Sequence, residues 1–496
     1  MTTRISNLGA SGLDIDEAVK NLMKARRARY DKMAQNKIAL EWKKADYNTM
    51  YNTINDFRNT VFTYKLQANL TPKTASSSNA SVAAVTANAD AVTINHDLVV
   101  SQLADGVKKI SSAAITAEGN TKDTLAAQFG ISGSFNISIK NGDTTKTIAV
   151  DSSKSIYELV SSINSSGANV TASYDTTLDR FFLYTNGTGS GSGLDFSGSD
   201  AAGLSFLADN LKISTAAVAG KDAQFQLDGI DLVQATNNFT ISGINYSLKS
   251  VGGSTENPVR IMAAPDIDKT VENVKSFIES YNAMLAKVNG EISEARYADY
   301  SPLTDDQKAE MKEADITAWT EKAKSGLLRH DSIMQELING ARNNVSSPVE
   351  GITGNYNTAS SIGITTGLYS EGGKLYLDET KLRTALAADP DAVKKIFGSS
   401  GTASNQQGIA VRLYNTLKTG MDKIVSQAGV TASVSGDTKS SLAKQITAYT
   451  KDMVNLNERL QDIEDRYYDQ FTAMDEVLQK LSAQSSWLAQ QFGTSS

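Results

Sequence analysis

Residues 467–492, YYDQFTAMDEVLQKLSAQSSWLAQQF, carry apolar side chains at helical spacing almost to the last residue. The stripe consists of Phe471, Met474, Leu478, Leu481, Leu488 and Phe492. Chain ends are usually polar, because little is buried there to hold them in place. The pattern therefore predicts a helix that needs a packing partner.

Two long stretches lack both glycine and proline, 59 residues between Gly12 and Pro72 and 56 residues between Gly436 and Gly493. Apolar residues in the first recur every seven positions, and those in the second recur at steps of four and three with a stutter at 463–467–471. The two stretches predict an antiparallel coiled coil with an imperfect seam. The predicted seam residues are Met33, Leu40, Tyr47, Ile54, Val61, Met453, Leu456, Leu460 and Ile463.

Charge favours pairing of these stretches with each other. Residues 20–44 hold nine Lys or Arg against two acids, a net charge of +7, and residues 452–476 hold eight acids against two Arg, a net charge of −6. The basic run KARRAR (24–29) is also compatible with a nucleic-acid or anionic-lipid surface. A solvated helix face balanced by an acidic neighbour is the simpler interpretation, and the overall net charge of −7 argues against a nucleic-acid binder.

The amino-acid composition does not decide the cellular compartment. The chain contains no run of about eighteen apolar residues and no apolar core of a signal peptide near its start, so we expect neither a membrane span nor a cleaved signal. The chain has no cysteine. A cytoplasmic protein without use for thiols and a protein exported as an unfolded, disulfide-free chain both fit that composition.

Between the helical ends the sequence changes to short alternating runs typical of strands. FNISIKNGDTTKTIAV (135–150) predicts a hairpin that turns at Asn141–Gly142, and SIYELVSSINSSG (155–167) predicts a short helix. We predict an α+β multidomain fold with a long antiparallel coiled-coil leg and β-rich head domains inserted between the terminal helices. The predicted domains are a leg of 1–73 with 431–496, a β-rich head of 74–105 with 215–264, a second β-rich head of 106–214 inserted in the first, and a mostly helical domain of 265–430 that packs on the leg.

Two further helix starts are predicted in the last of these domains. Thr304 and Gln307 have the spacing of a capping box. Asp389 is the predicted N-cap of another helix, with Pro390 in its first turn and Gly398 beyond its end.

The chain contains few residues of the types that nucleophilic catalysis and metal binding use. There is no cysteine, and the two histidines are His96 and His330, so a nucleophile–histidine pair or a histidine-rich metal site is not expected. NGTGSGSG (186–193) lacks the spacing of a nucleotide-binding loop and predicts a flexible connection. Paired carboxylates for glycoside chemistry stay open, since acids are scattered through the chain, but no two are marked. We predict no enzyme, no catalytic or metal residue and no cofactor.

Several segments together resemble one family, the bacterial flagellar filament-capping proteins, or hook-associated protein 2. ASGLDIDEAVKNLMKARR (10–27) resembles the opening of that family, and SFIESYNAMLAKVNG (276–290) is similar to its central helix. The segments that resemble its C-terminal domain follow in the same order, from SPLTDDQKAEMKEADITAWTEKAKSGLLRHD (301–331) through KLYLDETKLRTALAADPDAVKKIFG (374–398) to residues 467–492. Residues 135–175 look like the hook-associated motif of flagellar axial proteins.

The resemblance implies a secreted protein that forms an oligomeric ring, typically a pentamer, at the distal tip of the flagellar filament. Such a cap promotes folding and polymerisation of flagellin during elongation and prevents leakage of unpolymerised flagellin. The implied partners are further copies of the chain, flagellin, hook–filament junction proteins and an export chaperone before secretion, with no nucleic acid and no membrane insertion. Export by the flagellar type III apparatus suits a chain without cysteine.

We predict that apolar residues near both ends contact neighbouring axial subunits. They are Leu13, Ile15, Val19, Leu22, Met23, Leu481, Trp487, Leu488 and Phe492, with the change from intramolecular to intermolecular packing placed at Ser485. The alternative is that the two ends simply bury each other in one coiled coil. Two other functions stay open, a filament-tip adhesin that binds host or matrix surfaces and another hook–filament junction protein, although the Asp-Ile-Asp opening and the order of the C-terminal motifs favour the cap.

Overall fold

The computed structural model of the chain describes residues 14–66, 69–116, 123–433 and 436–493. The chain divides into two compact units, the first formed by residues 1–70 with 267–496 and the second by residues 71–266. The second unit is thus inserted in the sequence of the first.

The first helix, α1 (Ile15–Lys65), has 51 residues and is about 77 Å long at 1.5 Å per residue. It begins directly after Asp14, because Asp14 Oδ1 accepts a hydrogen bond from Glu17 N at 2.9 Å and so caps the first turn.

Strands dominate the second unit. In chain order they are β1 (Lys73–Ser77), β2 (Ala83–Ala87), β3 (Ile94–Gln102), β4 (Lys108–Ile110), β5 (Ser134–Asn141), β6 (Thr144–Asp151), β7 (Val170–Asp175), β8 (Arg180–Thr185), β9 (Gly193–Leu194), β10 (Val218–Ala219), β11 (Ala223–Leu227), β12 (Ile230–Gln234), β13 (Asn238–Ile241), β14 (Ile244–Leu248) and β15 (Val259–Pro265). The short helices among them are α2 (Leu125–Phe129), α3 (Ile156–Ser165) and α4 (Ala201–Ser205).

One core of the second unit lies between two antiparallel sheets, of strand order β1-β15-β3-β11-β12 and β13-β14-β2. The ring of Phe239 stacks between those of Phe225 and Tyr246, at centroid distances of 4.7 and 5.2 Å. The first and last strands of the unit pair with each other, with Lys73 opposite Pro265. The unit therefore begins and ends at neighbouring strands of one sheet.

A separate core within residues 107–213 is built from the β5–β6 hairpin, the sheet of order β4-β8-β7 and α3. The predicted helix is confirmed as α3, which starts with a complete capping box between Ser155 and Glu158. The predicted hairpin is also confirmed, but its turn is displaced by one residue. Asn141 pairs with Thr144 as the last residue of β5, so Gly142 and Asp143 are the central residues of the turn.

The displacement of the turn has a physical reason in the side chain of Asn141. Its Nδ2 donates to the carbonyl oxygens of Ala168 and Asn169, and its Oδ1 accepts a hydrogen bond from Gly193 N at 2.9 Å. The buried amide is thus held inside the fold, and Gly142 supplies the positive φ of 58°.

The rest of the first unit follows Pro265. In chain order its elements are α5 (Ile267–Ser293), α6 (Asp305–Ala309), α7 (Glu313–Lys324), α8 (Ser332–Ser346), β16 (Ile364–Thr366), β17 (Leu375–Leu377), α9 (Glu379–Ala388), α10 (Ala392–Gly398), α11 (Ile409–Ala428) and α12 (Ser441–Gly493). The capping box of Thr304 and Gln307 at the start of α6 is confirmed.

The main core of the first unit joins the second half of α1 to α5, α8, α10 and α11. Phe277 of α5 lies at its centre, with ring centroids 5.9 Å from Phe57, 5.1 Å from Tyr64 and 5.1 Å from Phe397. Burial of each such aromatic side chain contributes about 1.5–3 kcal/mol, so this core holds the unit together.

The predicted start of α10 was wrong. The N-cap is Asp391, whereas Asp389 is extended at φ −142° and ψ 97° and ends α9. A residue before proline disfavours helical backbone, which keeps Asp389 out of the helix that follows Pro390. Its carboxylate instead accepts from Asp391 N and pairs with Lys395 Nζ at 2.6 Å. Gly398 was predicted to lie beyond the end of this helix, but it is the last helical residue.

Candidate functional site

The terminal helices α1 and α12 pack side by side in opposite directions. Tyr468 OH donates to Asp16 Oδ1 at 3.0 Å, and Lys44 Nζ lies 2.6 Å from Asp437 Oδ2 just before α12 begins. Around the first of these contacts lies a small apolar cluster, in which Ile15, Val19, Met23 and Leu460 are buried. The residues packed around them are Tyr30, Leu456, Ile463, Tyr467, Tyr468 and Phe471. We call this group the terminal cluster.

The seven-residue spacing in α1 predicts packing against α12 along the whole helix, and for the second half of α1 that prediction is wrong. Tyr47, Ile54 and Val61 are buried in the main core with α5, α8 and α11, not in the terminal cluster. The register explains this, since α12 starts at Ser441 beside the region of Lys44 and runs towards the beginning of α1. Of the other predicted seam residues, Leu460 is buried, and Met33, Leu40, Met453, Leu456 and Ile463 are half-buried.

The residues predicted to contact neighbouring subunits fall into two groups. Ile15, Val19 and Met23 are 6, 1 and 4% exposed in the terminal cluster, so in this conformation α12 already covers them. For these three the prediction is corrected, because an intramolecular partner is present. Leu22, Leu481, Trp487 and Leu488 are exposed, at 43, 54, 58 and 45%. Leu13 and the side chain of Phe492 lie outside the described residues.

The exposed residues of α12 form a continuation of its packing face. At 100° per residue, Met474, Val477, Leu478, Leu481 and Leu488 fall within about 100° of one another, on the side of the helix that carries Leu460 and Ile463. We call these five residues the distal stripe, and each is at least 39% exposed. Trp487 lies off the stripe, about 80° around the helix from Val477. The stripe follows Tyr468, which already contacts the second residue of α1, Asp16.

A buried ion pair anchors the other end of α12. Lys44 is fully buried, and its Nζ donates both to Asp437 Oδ2 at 2.6 Å and to the carbonyl oxygen of Ala428 at the end of α11. Burial alone would raise the pKa of Asp437, but hydrogen bonds from Lys44, Ser440 and Lys439 hold it well below its usual range. The carboxylate is therefore ionised at neutral pH and fixes the start of α12 on α1.

Sequence reasoning missed this anchor, because Lys44 was counted with the basic run at 20–44. A signal was present, since position 44 lies four residues after Leu40 and three before Tyr47, on the apolar side of α1. A lysine at that phase is buried and needs an acidic partner.

The described residues contain no group of three or more His, Cys, Asp or Glu side chains placed to hold a metal ion. In the same part of the chain, no helix combines the length and the apolar character needed to cross a membrane.

Family models match most of the chain. Flagellar hook-associated protein 2 C-terminus matches residues 220–483, flagellar hook-associated protein 2 N-terminus matches residues 11–107, and the flagellin hook IN motif matches residues 134–187. The last of these overlaps the stretch 135–175 that resembles the hook-associated motif.

Whole-chain relatives agree with these matches. The flagellar hook-associated protein 2 of Halalkalibacterium halodurans is 31% identical over 98% of this chain and 99% of the relative, and that of Escherichia coli K12 is 24% identical over 99% of both. The crystal structure of the flagellar cap protein FliD D1-D2-D3 domains from Escherichia coli covers 82% of this chain and 99% of its own, with a TM-score of 0.56 at 19% identity, and so shares the fold. The resemblance read from the sequence is confirmed, and the chain belongs to the flagellar hook-associated protein 2 family.

Proposed function

We propose that this chain is a cap of the flagellar filament, which assembles with copies of itself at the distal tip and promotes folding and polymerisation of flagellin there. The family membership supports the role, since relatives bear the name flagellar hook-associated protein 2 and a protein of the same fold is described as a flagellar cap protein. The chain reaches that position after secretion. The role requires contact surfaces and no catalytic residue.

The observation that carries the proposal in this chain is the distal stripe. A row of five apolar side chains, each 39–54% exposed, extends the packing face of α12 past the first described turn of α1. Contiguous exposed apolar surface of this kind marks an interaction site. Its shape, one face of a long helix, fits the apolar face of another helix.

The proposed partner of the distal stripe is an axial subunit of the filament, flagellin or a hook–filament junction protein. The stripe itself supplies Leu481 and Leu488, and Leu22 and Trp487, which are 43 and 58% exposed outside the stripe, complete the proposed set of contact residues. Ile15, Val19 and Met23 act indirectly, since they hold α1 against α12. We also propose that the chain divides into a leg, two β-rich heads and a helical domain. In this proposal the β-rich part forms the plate of an oligomer, which is a pentamer in our hypothesis.

The test replaces exposed apolar residues of the distal stripe in a strain that lacks the chromosomal gene and carries a plasmid copy. The variant is Leu481→Asp with Leu488→Asp, and the matched control is Val454→Asp, since Val454 is 54% exposed on the opposite side of the same helix. Filament length is measured by electron microscopy, and flagellin in the medium by immunoblot.

We expect short or missing filaments and monomeric flagellin in the medium for the double variant, and normal filaments for the control. Both purified variants should unfold at the same temperature as the wild type, because the replaced side chains are exposed. Normal filaments from the double variant would remove the distal stripe from the proposal. Full-length filaments with only a loss of adherence in the gene deletion would contradict the cap and support a tip adhesin.

A further inference from the structure

The two charged stretches of the terminal helices are not paired with each other. In the part of the chain that the structure describes, the ion pairs made by α1 are Lys37 with Glu41 and Lys44 with Asp437, and neither involves residues 20–32. The Lys and Arg side chains of residues 20–32 are all exposed. The basic charges that favour pairing of these stretches in the sequence therefore face solvent.

Five acids of α12 form a row on the side of the helix that faces away from α1. At 100° per residue they lie about 140–200° around α12 from Leu460, which is buried in the terminal cluster. Each of the five is exposed, and successive members follow at the spacing of one helix face. We call this set the acidic row, and it consists of Glu458, Asp462, Asp465, Asp469 and Glu476.

Three cations of α1 form a second row. Lys20, Lys24 and Arg27 follow one another at steps of four and three residues, and all three are exposed. They lie about 80–140° around α1 from Val19, the middle residue of the buried face in the terminal cluster. We call these three residues the basic row. It occupies a flank of α1 that α12 of the same chain leaves exposed.

The two rows lie at the same height along the paired helices. Because Tyr468 OH donates to Asp16 and the helices run in opposite directions, residues 20–27 lie beside roughly residues 457–464. Glu458 and Asp462 of the acidic row fall within that range, and Asp469 follows about 8 Å further along the axis. A second copy placed alongside in the same orientation therefore brings its acidic row level with the basic row of the first copy.

We propose that the acidic row of one copy docks on the basic row of a neighbouring copy, so that the terminal helices of successive copies stand side by side in the same orientation. This inference rests on the proposed assembly of the cap from copies of the chain. Charge complementarity favours a second copy as the occupant, since it presents the opposite charge on a matching helix face at the same height.

The contact joins two different surfaces, so each copy can use both of its rows at once, as a heterologous interface requires. The basic row lies on a flank of α1 and not directly opposite the face that meets α12. Successive pairs of helices therefore turn at every copy instead of continuing in one line. A heterologous contact with a constant turn closes into a ring when the turn divides a full rotation.

The contact is sensitive to salt, because both rows are exposed. The distance over which charges act falls from about 10 Å at 0.1 M salt to about 3 Å at 1 M. Complementary rows of this kind select the partner and its orientation more than they add affinity. We therefore expect self-association of the chain to weaken as the salt concentration rises.

Charge reversal in the purified full-length chain tests the contact. The first variant, Lys20→Glu with Lys24→Glu, reverses the basic row. The second variant, Asp462→Lys with Asp465→Lys, reverses the acidic row at the same height. The third variant carries all four substitutions, so its two rows are again complementary. The dissociation constant of self-association is measured by sedimentation velocity at about 0.1 M and about 1 M salt.

The matched control is Arg29→Glu with Lys32→Glu. Both residues are exposed on α1 outside the basic row, and the pair changes the net charge as much as the first variant does. All variants should unfold at the same temperature as the wild type, because the replaced side chains are exposed.

We expect the dissociation constant of the wild type to rise at least about tenfold from low to high salt, and either two-residue reversal to raise it at least about tenfold at low salt. The four-residue variant and the control should stay within about threefold of the wild type. An equimolar mixture of the first and second variants should associate like the wild type, since each supplies the charge that the other lacks.

Three results would overturn the proposal. They are a wild-type chain that stays monomeric at low salt, association that salt does not weaken, and a four-residue variant that associates no better than either reversal. The last result would also be expected if the rows bound another protein instead of a second copy.

This test is separate from that of the cap function, because association is measured without filaments. Short filaments after gene deletion, together with reversals that leave association unchanged, would keep the cap and remove this contact. Full-length filaments after gene deletion, together with rescue by the four-residue variant, would keep the contact and contradict the cap.

Discussion

Removal of the buried charge of Lys44 should destabilise the first unit more than any surface change on α1. The substitution Lys44→Met keeps the aliphatic stem and leaves Asp437 and the carbonyl of Ala428 without the ammonium group that bonds both. Removal of one partner from a buried ion pair costs about 3–5 kcal/mol. Asp437 keeps the hydrogen bonds from Ser440 and Lys439, so we expect the lower end of that range, about 3 kcal/mol.

Tryptophan fluorescence during urea unfolding measures this loss selectively. The three tryptophans, Trp42, Trp319 and Trp487, all belong to the first unit. Lys37→Met is the control, because Lys37 is partly exposed and forms an ion pair with Glu41 one turn away on the same helix. It should change the free energy of unfolding by less than about 1 kcal/mol.

The pH dependence gives a second check on the same pair. The lowered pKa of Asp437 stabilises the folded state above its ordinary value of 3.8, and that stabilisation is lost as pH falls through the lower folded pKa. The difference between wild type and Lys44→Met should therefore be full at pH 7 and shrink below about pH 4. A cost at pH 7 no larger than that of Lys37→Met would refute the assignment of Lys44–Asp437 as the anchor of α12.

Two further pairs of substitutions test the fold. Gly142→Ala should destabilise the β5–β6 hairpin by about 2 kcal/mol, seen as faster hydrogen exchange at residues 134–151, because φ is 58° and a Cβ would lie 2.4 Å from Gly191 O. Gly130→Ala, with a similar φ of 66° and nothing within 4 Å, should cost only about 1 kcal/mol, and equal effects would contradict the close approach. Tyr281→Phe should leave urea stability unchanged or raise it by up to about 1 kcal/mol, since among the described residues its buried hydroxyl has no hydrogen-bond partner. Tyr64→Phe should lower stability by about 1 kcal/mol, because its hydroxyl donates to Asn273 O at 2.5 Å, and a larger loss for Tyr281→Phe would disprove the comparison.

Sequence patterns predicted the elements better than their partners. The stretches without glycine or proline became α1 and α12, and the alternation at 135–150 became β5 and β6. Both patterns are local, because they follow from backbone propensity and from the period of one element. The partner of Tyr47, Ile54 and Val61 is not local, since seven-residue spacing marks a buried helix face without naming the helix that buries it.

In the candidate site, too, local features could be predicted from the sequence and tertiary contacts could not. The apolar phase of α12 was readable up to Leu488, and it identified four of the five residues of the distal stripe, all except Val477. That Ile15, Val19 and Met23 are covered by α12 depends on the register of two helices more than 400 residues apart in the sequence.

Because the second unit is inserted in the sequence of the first, the two units can be completed only in a fixed order when the chain emerges with its N-terminus first. The strand β1 finds its neighbour β15 once Pro265 is available, so the second unit can complete its sheet before half of the remaining chain has appeared. Asp16, by contrast, meets Tyr468 only after 452 further positions. During that interval the helices that cover the apolar face of α1 have not yet emerged. The first unit is therefore completed last, when α12 packs on the residues that emerged first.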